Sequence, residues 1–382
     1  MSSVEQQQPG IGMYRVYDLV GGAAPSLTSV PVGLYEATGP YPTACQDYWA
    51  TITGVTDLVK PAAGDRKYAI TAWYPTTATS GRRARYLTET SNDTAMATAN
   101  AAVYSGLSST LIPPMAAKLV NSYLNAPIRT DLGQMPVLIF SPGRVVAREM
   151  GSALCEEMAS HGYIVLALGH TYEAPSVEFP SSLEGNITYT NTTTEYNNMM
   201  RQRIADARHL LANLSTLLGN GIYQQMDLAN IGAFGHSYGG YLAGELAYVE
   251  PTLIKAAMNH DGSPGRTGND NFAATNGFAA PYFFLSTDDN SRSDPHWAPM
   301  KALLTGDVYD VKANGTRHYS FMDTCTLVPA GSKALYCGSV TPVRGIEIGR
   351  AYTLAFFNHY LKGTTETLLA GASGSFPEIQ FF

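Results

Sequence analysis

"IGAFGHSYGGYLAGELAY", residues 231 to 248, joins an apolar run to a helix-compatible run through a serine set among glycines. Gly235, His236, Ser237, Tyr238 and Gly239 spell G-x-S-x-G. In that pattern a nucleophilic serine sits on a sharp strand-to-helix turn with strained backbone angles, and only small residues two positions to either side let the chains approach. A glycine-rich structural turn would carry the same letters. Context favours the nucleophile, because a β-like run precedes the serine and "YLAGELAYV" continues as a helix.

The same alternation extends outward. "YAITAWYP", "PVLIFSPG", "YIVLALGH", "NIGAFGHS", "IKAAMNHDG", "PYFFLSTDD" and "DVYDVKANG" are short apolar runs bounded by turn residues and separated by helical patterns. That order predicts an α/β fold, a mostly parallel sheet with helices on both faces. "TEYNNMMRQRIADARHLLANLSTLLG" puts Ile204, Ala207, Leu210, Leu211, Leu214 and Leu218 on one helix face, with Arg201, Asp206 and Arg208 off it. "GIEIGRAYTLAFFNHYLKG" is a last amphipathic helix that ends at Gly363. The chain reads as one domain over residues 1–382, with insertions at 76–130 and 171–198 as candidate lids or site walls. Within the first, the apolar segment 101–120, with Pro113 and Pro114, fits either a lid meeting a lipid surface or a core helix. The second reads as a long loop after a strand.

A serine nucleophile needs a base, and the α/β-hydrolase order is Ser, then Asp or Glu, then His. Of the histidines after residue 237, His359 lies within the last helix, and His296 comes too early for the final strand-to-helix connection. His318, in "NGTRHYSFMD", follows the last strand and precedes the last helix, where the base belongs. The carboxylate has two candidates on spacing: Asp261, in the turn "NHDGSPG", and Asp288 (with Asp289) after the next strand. Two backbone N–H groups must hold the oxyanion. Tyr238 follows the nucleophile, and Arg144 follows Pro142 and Gly143 at the end of "PVLIFSPG". Gly143, His236 and His260 are candidates to line the substrate site.

Composition excludes other classes. The 382 residues are 45% hydrophobic and 14% charged, with a formal net charge of −7, so no basic footprint for nucleic acid is present. No apolar run approaches the roughly 20 residues of a membrane helix, and "MSSVEQQQPG" lacks the regions of a signal peptide, leaving a cytosolic chain or one whose leader was removed. Sequons begin at Asn92, Asn186, Asn191, Asn213 and Asn314, and Cys325 and Cys337 flank "TLVPAGSKALY", whose Pro329, Gly331 and Ser332 suggest a hairpin that would bring them together as a disulfide. These features tip the reading towards a secreted protein. No haem, zinc or dinucleotide signature is present, and "STDDNSRSD" reads as an acidic surface loop rather than a calcium site, so no metal or cofactor is expected.

With those residues in hand, the sequence resembles the plasma-type platelet-activating-factor acetylhydrolase family and its bacterial and fungal relatives, with gaps, from about residue 40 to about 362. "AITAWYP", "YLNAPIRTDLGQMPVLIFSPG", "LCEEMASHGYIVLALGH", "GHSYGG" and H-x-x-F-x-D at His318, Phe321 and Asp323 carry the likeness. The resemblance implies an α/β-hydrolase fold, Asp261 as the triad acid, oxyanion donors at Arg144 and Tyr238, and a calcium-independent serine esterase for short-acyl phospholipids or other short esters. The chain departs from the family at Ser141, Pro142 and Gly143, where Ser-His-Gly is usual. "AFFNHYLKG" and the triad order are similar, more distantly, to dienelactone hydrolases and cutinases. The same triad also suits hydrolysis or acyl transfer on a specialised small molecule or polyester. A non-catalytic binding protein on a hydrolase scaffold is the reading from another class; such scaffolds usually lose a triad member, and none is missing here.

Overall fold

All seven runs read as strands lie in one sheet. The computed structural model describes residues 35–86, 119–174, 176–185, 189–289, 291–328 and 330–382. The N-terminal stretch, most of the first insertion with Pro113 and Pro114, the sequons at Asn92 and Asn186, and Pro329 lie outside the described residues.

The strands are β1 (Thr43–Thr56), β2 (Asp65–Pro75), β3 (Arg83–Arg85), β4 (Leu119–Leu124), β5 (Met135–Ser141), β6 (Ile164–Gly169), β7 (Ser176–Phe179), β8 (Ser182–Gly185), β9 (Met226–His236), β10 (Ile254–His260), β11 (Tyr282–Ser286), β12 (Val308–Ala313) and β13 (Ile379–Phe381). The main sheet runs β13-β12-β11-β10-β9-β5-β6-β2-β1-β4-β3. From β6 through β12 its pairings are parallel. β2 departs from the expected parallel course and is antiparallel to both β1 and β6. Residues 57–64 are a short turn, and a short turn permits only an antiparallel partner, whereas a parallel one needs a crossover of a dozen residues or more.

The described helices are α1 (Ser152–Ser160), α2 (Thr193–Ala212), α3 (Leu214–Tyr223), α4 (Tyr238–Val249), α5 (Phe272–Asn276), α6 (Trp297–Leu303), α7 (Thr324–Leu327), α8 (Lys333–Cys337) and α9 (Pro342–Lys362). The sheet's period of two sorts its side chains between the helical layers. Leu138, Phe140, Phe234, Met258 and Phe283 pack with Leu154 and Met158 of α1 and Phe356 and Phe357 of α9. Val137, Ile139, Ala233, Ala257 and Phe284 pack with Met199 and Leu210 of α2 and Leu242 and Leu246 of α4. Both faces are covered, as the near-continuous apolar runs imply. α9 ends as expected at Gly363, whose φ is 69°.

Three local expectations are corrected. The helix read over 194–219 is two helices, because Asn213 turns its side-chain amide back onto the carbonyl of His209 at 2.8 Å and leaves helical geometry. The 171–198 segment is not one long loop: it carries the β7–β8 hairpin and the first turns of α2, and Val177 and Phe179 are buried with Ala69 and Ala174. Cys325 and Cys337 are bonded, with Cα atoms 5.7 Å apart, but α7 and α8 bring them together rather than a hairpin. Cys45 and Cys155 are buried and are not joined by a disulfide.

Asp206, expected off the packing face of α2, is fully buried. Its oxygens accept from Arg66 Nε at 2.9 Å and Arg66 Nη2 at 2.5 Å, while Arg66 Nη1 reaches Asp57 at 2.7 Å and the carbonyl of Thr171 at 2.8 Å. This cluster fastens α2 to β2 and to the segment after β6. Replacing Arg66 with Met strands two buried carboxylates, so the variant should lose about 3–5 kcal/mol of unfolding free energy in urea. Removing Arg201, whose pair with Asp270 is exposed, should change it by less than about 1 kcal/mol.

Candidate active site

β9 delivers Ser237 to the carboxyl edge of the sheet, where open α/β folds place their ligands. Ser237 has φ 55° and ψ −117°, a region that a residue with a side chain occupies at a cost of about 1–3 kcal/mol. The neighbouring contacts hold it there. Its N–H donates to the carbonyl of His260 at 2.9 Å, and its own carbonyl accepts from Gly240 at 2.9 Å and Tyr241 at 3.1 Å. The glycines are sterically required: a Cβ on Gly235 would lie 2.4 Å from the carbonyl carbon of Gly239, and one on Gly239 would lie 1.9 Å from the carbonyl oxygen of Ser141. As the first residue of α4, Tyr238 carries an N–H with no acceptor inside the helix.

The turn after β10 presents Asp261. Asp261 has φ 54°, and Asn259 braces its turn by accepting from the Gly262 N–H at 2.7 Å and donating to the Gly262 carbonyl at 2.8 Å. The buried Asp261 carboxylate places Oδ2 2.7 Å from His318 Nδ1, while Oδ1 accepts from the Thr287 N–H at 2.9 Å and the Ser291 hydroxyl at 2.7 Å. Asp288, the other candidate, is 42% exposed and pairs with Lys312 at 2.7 Å. Asp289 acts on the backbone instead, accepting the His318 N–H at 2.6 Å. The spacing left two acids open; only Asp261 meets the imidazole of His318.

His318 is also tied to the elbow. His236 Nε2 donates to the carbonyl of His318 at 2.7 Å, and the two rings lie 4.5 Å apart. Burial, then the neighbouring His318 charge, pushes the His236 pKa well below its ordinary value, so the ring is a neutral Nε2–H donor. His236 is wholly buried and braces His318 rather than lining an open surface. His260 departs further from expectation. It points into the α9 layer, where burial lowers its pKa to about 3, its Nε2 meets the Thr353 hydroxyl at 2.8 Å, and its ring packs near Phe234 and Phe321. The strand alternation sends its side chain to the far face. Gly143, in contrast, lies beside Ser237: a Cβ there would be 3.3 Å from Ser237 Cβ.

Arg203 of α2 was not singled out in the sequence. Buried and paired with Glu173, it donates from Nη1 to the Ser141 hydroxyl at 2.9 Å and the Pro142 carbonyl at 2.6 Å, and from Nη2 to the Gly143 carbonyl at 3.1 Å. In a trans peptide C=O and N–H point oppositely, so fixing these two carbonyls on Arg203 turns the Gly143 and Arg144 N–H groups away from it. A signal existed: Arg203 stands between Met199, Met200, Ala207 and Leu210 on the apolar stripe, where a charge needs a buried partner.

Residues 32–203 match the family model described as "Platelet-activating factor acetylhydrolase, isoform II". A protein of Arthroderma benhamiae named "Probable 1-alkyl-2-acetylglycerophosphocholine esterase" is 27% identical over 65% of this chain and 66% of its own length. The "Platelet-activating factor acetylhydrolase" of Cavia porcellus is 23% identical over 62% of this chain and 60% of its own length. The match thus spans somewhat less than two thirds of either relative. Among solved structures, a ferulic acid esterase from Streptomyces cinnamoneus superposes with a TM-score of 0.76 at 25% identity, covering 92% of this chain and 99% of that one. The fold is that of the α/β-hydrolases, and the resemblance to the platelet-activating-factor acetylhydrolases is borne out.

A Cβ on Gly240 would fall 1.9 Å from Asn259 Oδ1, the atom that holds the Asp261 turn. Gly240→Ala should therefore lower stability by about 1–3 kcal/mol in thermal or urea unfolding. Gly221→Ala, which meets nothing within 4 Å, should leave stability unchanged or raise it by up to about 1 kcal/mol.

Proposed function

We propose that this relative of the platelet-activating-factor acetylhydrolases is a serine esterase that hydrolyses carboxylic esters, with short-acyl phospholipids or other short-chain esters as the substrate class. The observation that carries the reading is the contact of Asp261 Oδ2 with His318 Nδ1 beside a strained Ser237, three residues in the chain order of an α/β-hydrolase triad. Ser237 Oγ attacks the ester carbonyl carbon, and His318 takes the hydroxyl proton through Nε2, because Nδ1 is committed to Asp261. The carboxylate, held by Thr287 and Ser291, fixes that tautomer and balances the imidazolium. The developing oxyanion accepts from the N–H groups of Tyr238 and Arg144. Collapse expels the alcohol, which takes the proton from His318. Water then repeats the sequence on the acyl-enzyme and releases the acid.

The names of the relatives support the lipid ester class, and the likeness to the Streptomyces ferulic acid esterase favours a second reading, an ester of a specialised aromatic acid. The tyrosines Tyr189 and Tyr196 against Arg144, and Tyr319 against His236, suit either. The Cys325–Cys337 disulfide supports a secreted protein.

Ser237→Ala should abolish hydrolysis of p-nitrophenyl acetate with an unchanged far-UV CD spectrum; turnover retained in that variant sinks the proposal. Asp261→Asn should lower kcat by about 10⁴-fold through the wrong tautomer, the size of effect seen when a serine-protease triad acid is changed in this way. Asp288→Asn should leave kcat within about twofold, in keeping with a weak surface pair.

A further inference from the structure

Arg144 carries more than a backbone donor. Its guanidinium lies 4.6 Å from the ring centroid of Tyr196 and 5.6 Å from that of Tyr189. The guanidinium of Arg266 lies 3.2 Å from the same Tyr196 centroid, so the two cations are within about 8 Å of each other. Arg144 Nη1 is buried without a hydrogen-bond partner among the described residues, and no described carboxylate pairs with it. Nearby acids are already engaged: Glu173 with Arg203, and Glu195 with the N–H groups of Thr190 and Asn191. Along the chain Arg144 follows Gly143, where an added Cβ would lie 3.3 Å from Ser237 Cβ.

Two like charges beside one ring repel, and cation–π contact offsets that only in part. A guanidinium presents its N–H groups in a fork that matches a carboxylate or phosphate. We propose that Arg144 and Arg266, both against the ring of Tyr196, form an anion subsite that selects esters bearing a carboxylate or phosphate near the scissile bond. The inference rests on the esterase reading for its effect on turnover, and on binding alone for its existence. The subsite takes the anion of the substrate by charge-assisted hydrogen bonds, and no bond is made or broken there.

The test compares matched esters within each protein: p-nitrophenyl hemiadipate against p-nitrophenyl hexanoate for an anion on the acyl side, and 4-acetoxybenzoate against phenyl acetate for one on the leaving group. The wild-type protein should favour the anionic member of at least one pair by roughly 10- to 100-fold in kcat/KM, the range expected of a hydrogen bond to a charged group. That preference should shrink in high salt, collapse in Arg144→Met and Arg266→Met, and survive in part in Arg144→Lys and Arg266→Lys. Because the readout is a ratio within one protein, general loss of activity cancels. A second measurement needs no turnover: calorimetric titration of the Ser237→Ala protein with monomethyl adipate and, separately, with inorganic phosphate. Saturable binding of either that the Arg→Met changes abolish supports the subsite and tells carboxylate from phosphate. Equal kcat/KM within both pairs, together with no binding of either anion, overturns it while leaving the esterase reading intact. Turnover retained by the Ser237→Ala protein would overturn the esterase reading and leave the anion site standing.

Discussion

The contact between Gly239 and the carbonyl oxygen of Ser141 is the constraint around which the site is organised. With no room for a Cβ at 239, the first turn of α4 lies directly on the end of β5, so Ser237 and the loop after β5 form one unit. Gly262 repeats the device from the other side, since a Cβ there would lie 2.0 Å from the Ser237 carbonyl oxygen. Three neighbouring strand ends, those of β5, β9 and β10, therefore close on Ser237 by backbone contact. Ser237 and Asp261 both take positive φ within this junction. The surrounding hydrogen bonds over-determine both conformations, which is the condition under which such strain persists at a site.

Charge does the second half of the positioning. Arg203 reaches the loop after β5 from α2 and holds two of its carbonyls, while Glu173 neutralises it in an environment where an unpaired guanidinium would be prohibitive. Arg66 and Asp206 fix the same helix one turn further on. The helix read in the sequence as a packing element thus also aims backbone dipoles. Burying two ion clusters is costly in desolvation, and packing alone would give a more economical helix. The clusters supply a unique register of α2 against the loop, which an all-apolar stripe could not specify as sharply.

The parts of the fold that depend on local pattern were legible. Seven apolar runs gave seven strands, the last helix ends at its glycine, and G-x-S-x-G gave the elbow, because each follows from residues adjacent in the chain. What depended on long-range pairing was not. β2 runs antiparallel because of its neighbour β1, which the sequence reading had not singled out. Spacing could not choose between Asp261 and Asp288, since the choice turns on which carboxylate meets His318 across the sheet edge. His236 and His260 adjoin the motifs in sequence, yet strand alternation and burial direct one behind His318 and the other into the α9 layer. Arg203 was hidden for the opposite reason. It lies far from the motifs in sequence and reaches them only through tertiary packing.

Arg144 joins these two levels in one residue. Under the proposed mechanism its N–H, aimed by Arg203 through the Gly143 carbonyl, belongs to the chemistry common to ester hydrolysis, while its side chain lies among rings contributed by the 189–196 segment. Backbone orientation is set from below by a buried pair, and side-chain orientation from above by aromatic faces, so the two can change independently. An elbow built from glycine contacts tolerates little variation, because any added atom meets backbone. The wall of tyrosines and arginines is less constrained, since Arg144 and Arg266 meet it through the faces of side-chain rings. Under the proposed anion subsite, selectivity would reside in the wall, and a change of substrate would require no change at the strand ends.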